Sequence, residues 1–261
     1  MRIATIFLLG GCLAPGLSRA QQFQGIGLRL GGNLASGTFN TIEQAAGPGA
    51  NYSYRRSALL GYQVGVGATF GGGHWAVQPA LVFTEKGLRQ RSSETVSSGG
   101  YDYHADFDFR ARIHYLELPL NVVYGFGADG EGFQVFAGPY VAVGVGGRGR
   151  YALEETTTDP TYPDPHTESG TAPMKFGSTF SEDLPAGTAS IEFDAQARRF
   201  DAGLNVGLGY RRGPLQVQLG YGLGLLNAQP NYPASYGEPN DTGYTRTGQL
   251  TATYYFPLAG H

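Results

Sequence analysis

Residues 200–226 read FDAGLNVGLGYRRGPLQVQLGYGLGLL, and the alternation within this stretch decides the fold. Phe200, Ala202, Leu204, Val206, Leu208 and Tyr210 occupy one phase; Asp201, Gly203, Asn205, Gly207 and Gly209 occupy the other. After Arg211-Arg212-Gly213-Pro214 the pattern resumes, with Leu215, Val217, Leu219, Tyr221, Leu223 and Leu225 against Gln216, Gln218, Gly220, Gly222 and Gly224. Successive side chains of a strand point to opposite faces, so a period of two predicts two strands, each apolar on one side. Gly-Pro between them predicts a tight reversal. The second face is glycine and amide, too small and polar to fill a soluble core. A soluble sandwich or lipocalin-like barrel would turn its apolar face inward, where space is limited. A transmembrane barrel turns that face to lipid and the small polar one to its interior.

Six further stretches carry the same pattern: 26–33, 61–70, 75–84, 116–124, 133–144 and 249–256. Most reach the ~9–11 residues a tilted strand needs to cross a bilayer. Tyr115 and Leu116, both apolar and adjacent, predict a bulge or the change from an external extension to a membrane strand. Tight connections (Gly71–Gly73, Gly127–Gly130 and Arg211–Pro214) alternate with four long ones, at about 36–56, 89–105, 148–197 and 227–243. Short turns on one side and long loops on the other are the asymmetry of outer-membrane barrels. An even strand number lets the first and last strands pair, leaving no edge open to lipid. The expected fold is therefore an all-β, eight-stranded antiparallel up-and-down transmembrane β-barrel, with residues 21–261 as one domain.

Composition agrees. The 261 residues include 42 Gly, 17 Tyr and 15 Phe, with 15% charged residues against the usual quarter. Disorder needs the opposite, few aromatics and many charges. Mean hydropathy of −0.22 argues against a bundle of membrane helices. The N-terminus has the form of a signal peptide over residues 1–20: Arg2, an apolar run from Ile3 to Leu9, and Ser18-Arg19-Ala20 before Gln21. A rival reading takes Leu9-Gly10-Gly11-Cys12 as a lipoprotein box with Cys12 lipidated. Cleavage after Ala20 removes Arg2 and Arg19, moving the net charge from −3 to −5. No basic excess invites nucleic acid.

The ordered short motifs resemble the PorT-like outer-membrane β-barrel proteins common in Bacteroidetes. The carrying residues are Gly27 to Asn33, Lys86-Gly87, Tyr115-Leu116-Glu117-Leu118-Pro119-Leu120, Ala137-Gly138-Pro139-Tyr140, Phe200 to Leu204, Gly224-Leu225-Leu226-Asn227 and Tyr254-Tyr255-Phe256. The resemblance covers nearly the whole mature chain and implies an eight-stranded outer-membrane barrel. It implies no reaction; some relatives belong to the type IX secretion and gliding machinery.

The chemistry-bearing residues are few. Gly144 to Gly149 matches a dinucleotide fingerprint in form, but no helix follows to receive a pyrophosphate, so strand glycines explain it. The five histidines show no metal-ligand spacing. His104 near Asp102, Asp106 and Asp108 reads as part of an acidic solvated loop, and His114 would be a base only if a loop serine met it. Nine acidic residues between Tyr151 and Ala195 against the one base Lys175 read as a solvated loop, with divalent-cation or partner binding as the rival. No catalytic, cofactor or metal site is expected. Arg29, Lys86, Glu117 and Asp201 fall on the inward phase, and buried charges must be paired; Arg29–Glu117 is the expected pair. With about eight strands the interior is just wide enough for side chains, so these charges should plug the lumen. The expected function is a structural or interaction barrel working through its external loops, with a small pore or a subunit of an envelope transport or secretion machine as the alternative and an outer-membrane enzyme as the third reading. Expected partners are outer-membrane lipid and lipopolysaccharide, and envelope proteins through the long loops.

Overall fold

In the computed structural model, residues 22–39, 50–161, 165–180, 195–231 and 242–256 are described. The expected signal peptide, with Cys12, lies outside them. Ten strands follow in order: β1 (Gln22–Phe39), β2 (Ala50–Gly72), β3 (Trp75–Ser98), β4 (Tyr101–Gly125), β5 (Gly132–Thr157), β6 (His166–Phe176), β7 (Ala195–Ala197), β8 (Phe200–Arg212), β9 (Leu215–Gly224) and β10 (Gly243–Phe256). Eight of them close a ring, β1-β2-β3-β4-β5-β8-β9-β10 and back to β1, antiparallel throughout. The seam runs from Ile26 opposite Phe256 to Phe39 opposite Gly243. The eight predicted strands are the eight of the ring.

The stagger of the ring can be counted. From Arg29 the ladder passes through Gly65, Val82, Glu117 and Ala142 to Asp201 on β8. Leaving Arg29 the other way, it passes through Thr253 and Gln216 to Arg211, ten residues farther along the same strand. Ten residues at about 3.3 Å each, against eight strand spacings of about 4.8 Å, give a tilt of about 40°. A ladder row therefore climbs about 3 Å per strand toward the end that carries the long connections.

Around the middle of the barrel the outward phase is apolar and exposed, as at Leu118, Val141, Leu204 and Leu219. Aromatics girdle the short-turn end: Phe23 on Phe70, Trp75 on Tyr124, Phe133 on Tyr210 and Tyr254 on Phe256, with ring centroids 4.9–5.4 Å apart. Amphipathic rings favour a membrane–water interface. The tight turns fall where the sequence put them, with Gly73 and Gly213 at positive φ and a single 3-10 turn at Ala128–Gly130.

The long connections differ from expectation. Residues 89–105 form no loop: β3 and β4 continue as a hairpin, paired from Arg89–Arg110 to Ser98–Tyr101 around Gly99-Gly100. Likewise β5 extends to Thr157 and pairs with β6, which replaces β8 as its neighbour above Val143. Strands of 23–26 residues from β2 to β5 run far beyond what a bilayer needs. They form a β-arm. Its polarity is inverted relative to the barrel. On β4, Phe107, Phe109, Ala111, Ile113 and Tyr115 turn inward while Asp106, Asp108, Arg110 and Arg112 turn outward; below, Leu116, Leu118 and Leu120 turn outward and Glu117 and Asn121 inward. The adjacent apolar pair Tyr115-Leu116 marks this change of surroundings, and β4–β5 also slips register there. Outside is lipid below that point and water above it, so the apolar phase changes sides.

Candidate functional site

The inward phase fills the barrel in layers. Nearest the short turns lies an amide ladder. Gln216 donates from Nε2 to Gln134 Oε1 at 2.6 Å, and its own Oε1 accepts from the Tyr255 hydroxyl at 2.9 Å. Above it, Gln249 donates to Asn205 at 3.2 Å and Gln63 donates to Gln249 at 3.3 Å. The gap among Arg29, Asn121, Phe136, Asn205, Gln218 and Thr251 is about 10 Å³, room for one water at most. Phe136 lies across the lumen because Gly207 faces it; a Cβ there would sit 2.5 Å from the ring.

The charges form the next layer. Lys86 Nζ is 2.7 Å from Glu117 Oε2 and 3.3 Å from Asp201 Oδ2, and all three side chains are buried. Asp201 Oδ2 also accepts from the Tyr140 hydroxyl at 3.1 Å and from Thr245 Oγ1 at 3.0 Å. The ammonium lies 4.5 Å from the Tyr140 ring centroid and 5.4 Å from that of Tyr115, within cation–π range.

Of the four charges expected to cluster, the fold brings three together and sets Arg29 apart. The expected Arg29–Glu117 ion pair does not form; Lys86 takes Glu117. Both members of the expected pair lie in one ladder row but three strands apart, and the climb of the row leaves Arg29 about 9 Å lower. Arg29 Nε has no hydrogen-bond partner there. Tyr140 and Thr245 were not legible as members of the cluster, since nothing local to either residue points to a carboxylate on another strand.

Above Lys86 the arm encloses an apolar cup of about 320 Å³, walled by Leu88, Phe107, Phe109, Ala111, Ile113 and Met174, with Lys86 and Tyr115 at its floor. Outside the cup the arm is charged. Asp108 accepts from Arg89 Nε at 2.9 Å and also meets Arg91 and Arg110; the Arg89 hydrogen bond, with the other arginines, holds its carboxyl well below the usual carboxylate range. Tyr103 donates to Glu155, which pushes the phenol up to about 12.

The remaining candidates have local partners. His104 meets Thr95 at 2.9 Å and Asp106 at 3.2 Å, and Asp102 accepts from Ser97. His114 Nε2 lies 3.1 Å from Glu85, which also binds Arg112. Gly144 of the fingerprint-like run lies under the Phe176 ring. Of the nine acidic residues between Tyr151 and Ala195, Glu154, Glu155, Asp159 and Glu168 are described; Glu168 accepts from Tyr151 at 2.7 Å and Asp159 from the Thr161 amide at 2.9 Å. The other five lie outside the described residues.

No curated protein matches the chain. Among solved structures it is similar to Ail, the attachment invasion locus protein of Yersinia pestis, at 12% identity and a TM-score of 0.36, covering 89% of this chain and 99% of that one. It is also similar to the translocator domain of the autotransporter NalP from Neisseria meningitidis, at 10% identity and a TM-score of 0.25, covering 92% and 91%. The Pseudomonas putida toluene transporter TodX gives 8% identity and a TM-score of 0.24, covering 89% and 90%. Residues 19–228 match the family described as outer membrane protein beta-barrel domain, and with eight strands closed around a polar interior, the chain belongs to that family.

Proposed function

We propose that this protein is a non-conducting outer-membrane barrel that acts by contact, presenting its β-arm and the long connections beyond it, and that it is neither a pore nor an enzyme. The observation that carries this reading is the lumen. The Lys86–Glu117–Asp201 cluster and the amide ladder fill the inward phase, and the gap among Arg29, Asn121, Phe136, Asn205, Gln218 and Thr251 is about 10 Å³. A hydrated ion path needs a continuous file of waters, which such a constriction interrupts. The arm supplies what the lumen lacks: a rigid hydrogen-bonded surface with charged side chains on its outer face. Short turns on one side and long extensions on the other support an outward-facing arm. Within the family, the order of short motifs from Gly27 to Phe256 supports a PorT-like member, exported by a signal peptide over residues 1–20.

Reconstitution into planar bilayers tests the proposal. No steady open conductance is expected from the refolded barrel. A stable open level, with a reversal potential that follows the salt gradient, would show a pore and end this reading.

A further inference from the structure

The outer face of the arm carries an arrangement that the barrel does not explain. Arg110 stands opposite Arg150, and Arg112 opposite Arg148, in the β4–β5 ladder; Arg89 stands opposite Arg110 across β3–β4. Like charges directly opposite on neighbouring strands destabilise a sheet. The local acids only partly offset them. Asp108 is shared by Arg89, Arg91 and Arg110, and Glu85 is held by Arg112 beside His114. Arg148 and Arg150 are exposed and have no acidic partner among the described residues. Counting Arg55, which stands opposite Arg91, and the outward carboxylates Asp106 and Glu154 farther up the arm, seven arginines face four carboxylates, an excess of three positive charges in a protein whose net charge is −3. The side chains of Arg110, Arg112, Arg148 and Arg150, with Leu59, enclose a hollow of about 110 Å³. That is several times the ~10–15 Å³ needed to hold one water, enough for a tetrahedral oxyanion.

The position of the hollow points to its occupant. Arg148 follows the exposed, outward-facing Val145 by three residues, and Arg112 precedes the outward-facing Leu116 by four. The hollow thus sits where the apolar belt gives way to the charged arm, at headgroup level for a barrel inserted to that belt. Guanidinium groups bind phosphate oxygens in a bidentate, charge-assisted way. We propose that Arg110, Arg112, Arg148 and Arg150 bind a phosphate group of a phosphorylated outer-leaflet lipid, through its headgroup. The anion relieves the repulsion between the facing arginines and fixes the depth of the barrel. This rests on the proposed outward direction of the arm.

Detergent-refolded protein is titrated with diphosphoryl lipid A, with the same lipid dephosphorylated, and with inorganic phosphate, and the thermal midpoint is read by gel mobility. Wild type should be stabilised by the phosphorylated lipid alone, and the exposed double variant Arg148→Gln/Arg150→Gln should bind it about tenfold less tightly or worse. Arg148→Lys/Arg150→Lys should recover part of the affinity. Equal stabilisation by the dephosphorylated lipid, or an unaltered response of the Gln variant, would overturn the proposal. Inorganic phosphate matching the lipid would leave a free-anion site and overturn the lipid assignment. Arm direction is read separately, by labelling Ser98→Cys on intact cells with an impermeant maleimide. Labelling is expected; no labelling places the arm inside and removes the outer-leaflet source, whatever the detergent titration shows.

Discussion

Lys86 on β3 and Glu117 on β4 form a buried ion pair, 2.7 Å between Nζ and Oε2, and the same ammonium reaches Asp201 on β8 at 3.3 Å. One cation thereby serves two carboxylates that share a ladder row on either side of Ala142. Small inward residues such as Ala142 leave room for the three side chains to meet.

Removing the shared cation should cost more than removing one anion. Lys86→Met strands two buried carboxylates, and about 3–5 kcal/mol of destabilisation is expected for a broken buried pair. Glu117→Gln leaves Lys86 with Asp201 and should cost about 1–3 kcal/mol. Urea titration followed by heat-modified gel mobility measures both. Wild-type behaviour of Lys86→Met would contradict the assigned network.

A double-mutant cycle separates the two inward cations. Coupling between Lys86 and Glu117, which are in contact, should reach about 1.5 kcal/mol or more and should exceed that between Arg29 and Glu117, which act on each other only through space. The opposite order would place Arg29, not Lys86, on Glu117.

Glycine in the barrel wall makes room for Phe136. A Cβ at Gly207 would lie 2.3 Å from the Leu219 carbonyl oxygen and 2.5 Å from the Phe136 ring, while one at Gly72 would meet nothing within 4 Å. Gly207→Val should therefore lower stability by more than about 2 kcal/mol or block refolding, and Gly72→Ala should be close to neutral. Refolding yield in detergent compares the two directly.

The arm should resist acid. Arg89, with Arg110, holds the Asp108 carboxyl below its ordinary range, so its folded value lies under its unfolded one. The resulting stabilisation is present above about pH 4, the ordinary carboxylate value, and is lost only as pH falls below that through the depressed folded value. Hydrogen exchange of the β3–β4 arm should be faster in Asp108→Asn than in wild type at pH 7 and pH 5. Identical protection at both pH values would show that the charge does not hold the arm.

Trp75, the single tryptophan, lies 56% exposed in the aromatic girdle with its ring 4.9 Å from Tyr124. In bilayers its fluorescence should be quenched most by lipids brominated near the headgroup. Strongest quenching at the bilayer midplane would displace the membrane belt from where the exposed apolar residues put it.

Much of the fold was legible because lipid enforces it. Along β8 and β9, twenty-odd residues alternate on either side of one tight turn, since every outward position meets hydrocarbon and every inward position meets the lumen. The β-arm was legible only at its root, where Tyr115-Leu116 announces the change from an external extension to a membrane strand. In Arg89–Ser98 every residue but Val96 is polar, so no apolar period distinguishes a strand from a loop, and those residues are ordered by ladder bonds to β2 and β4 instead. The charge cluster was half legible: the inward phase of Lys86, Glu117 and Asp201 follows from alternation, but their meeting does not.

The sequence by itself determined the number of membrane strands, the inward or outward phase of each residue, and the places of the tight turns, because period-two alternation is a local property of the chain. Tertiary structure alone decided which inward charges touch and where the arginines of the arm converge. The ten-residue stagger of the closed ring lifts Glu117 above Arg29 and into reach of Lys86. That stagger belongs to the closed sheet as a whole, and no single strand carries it.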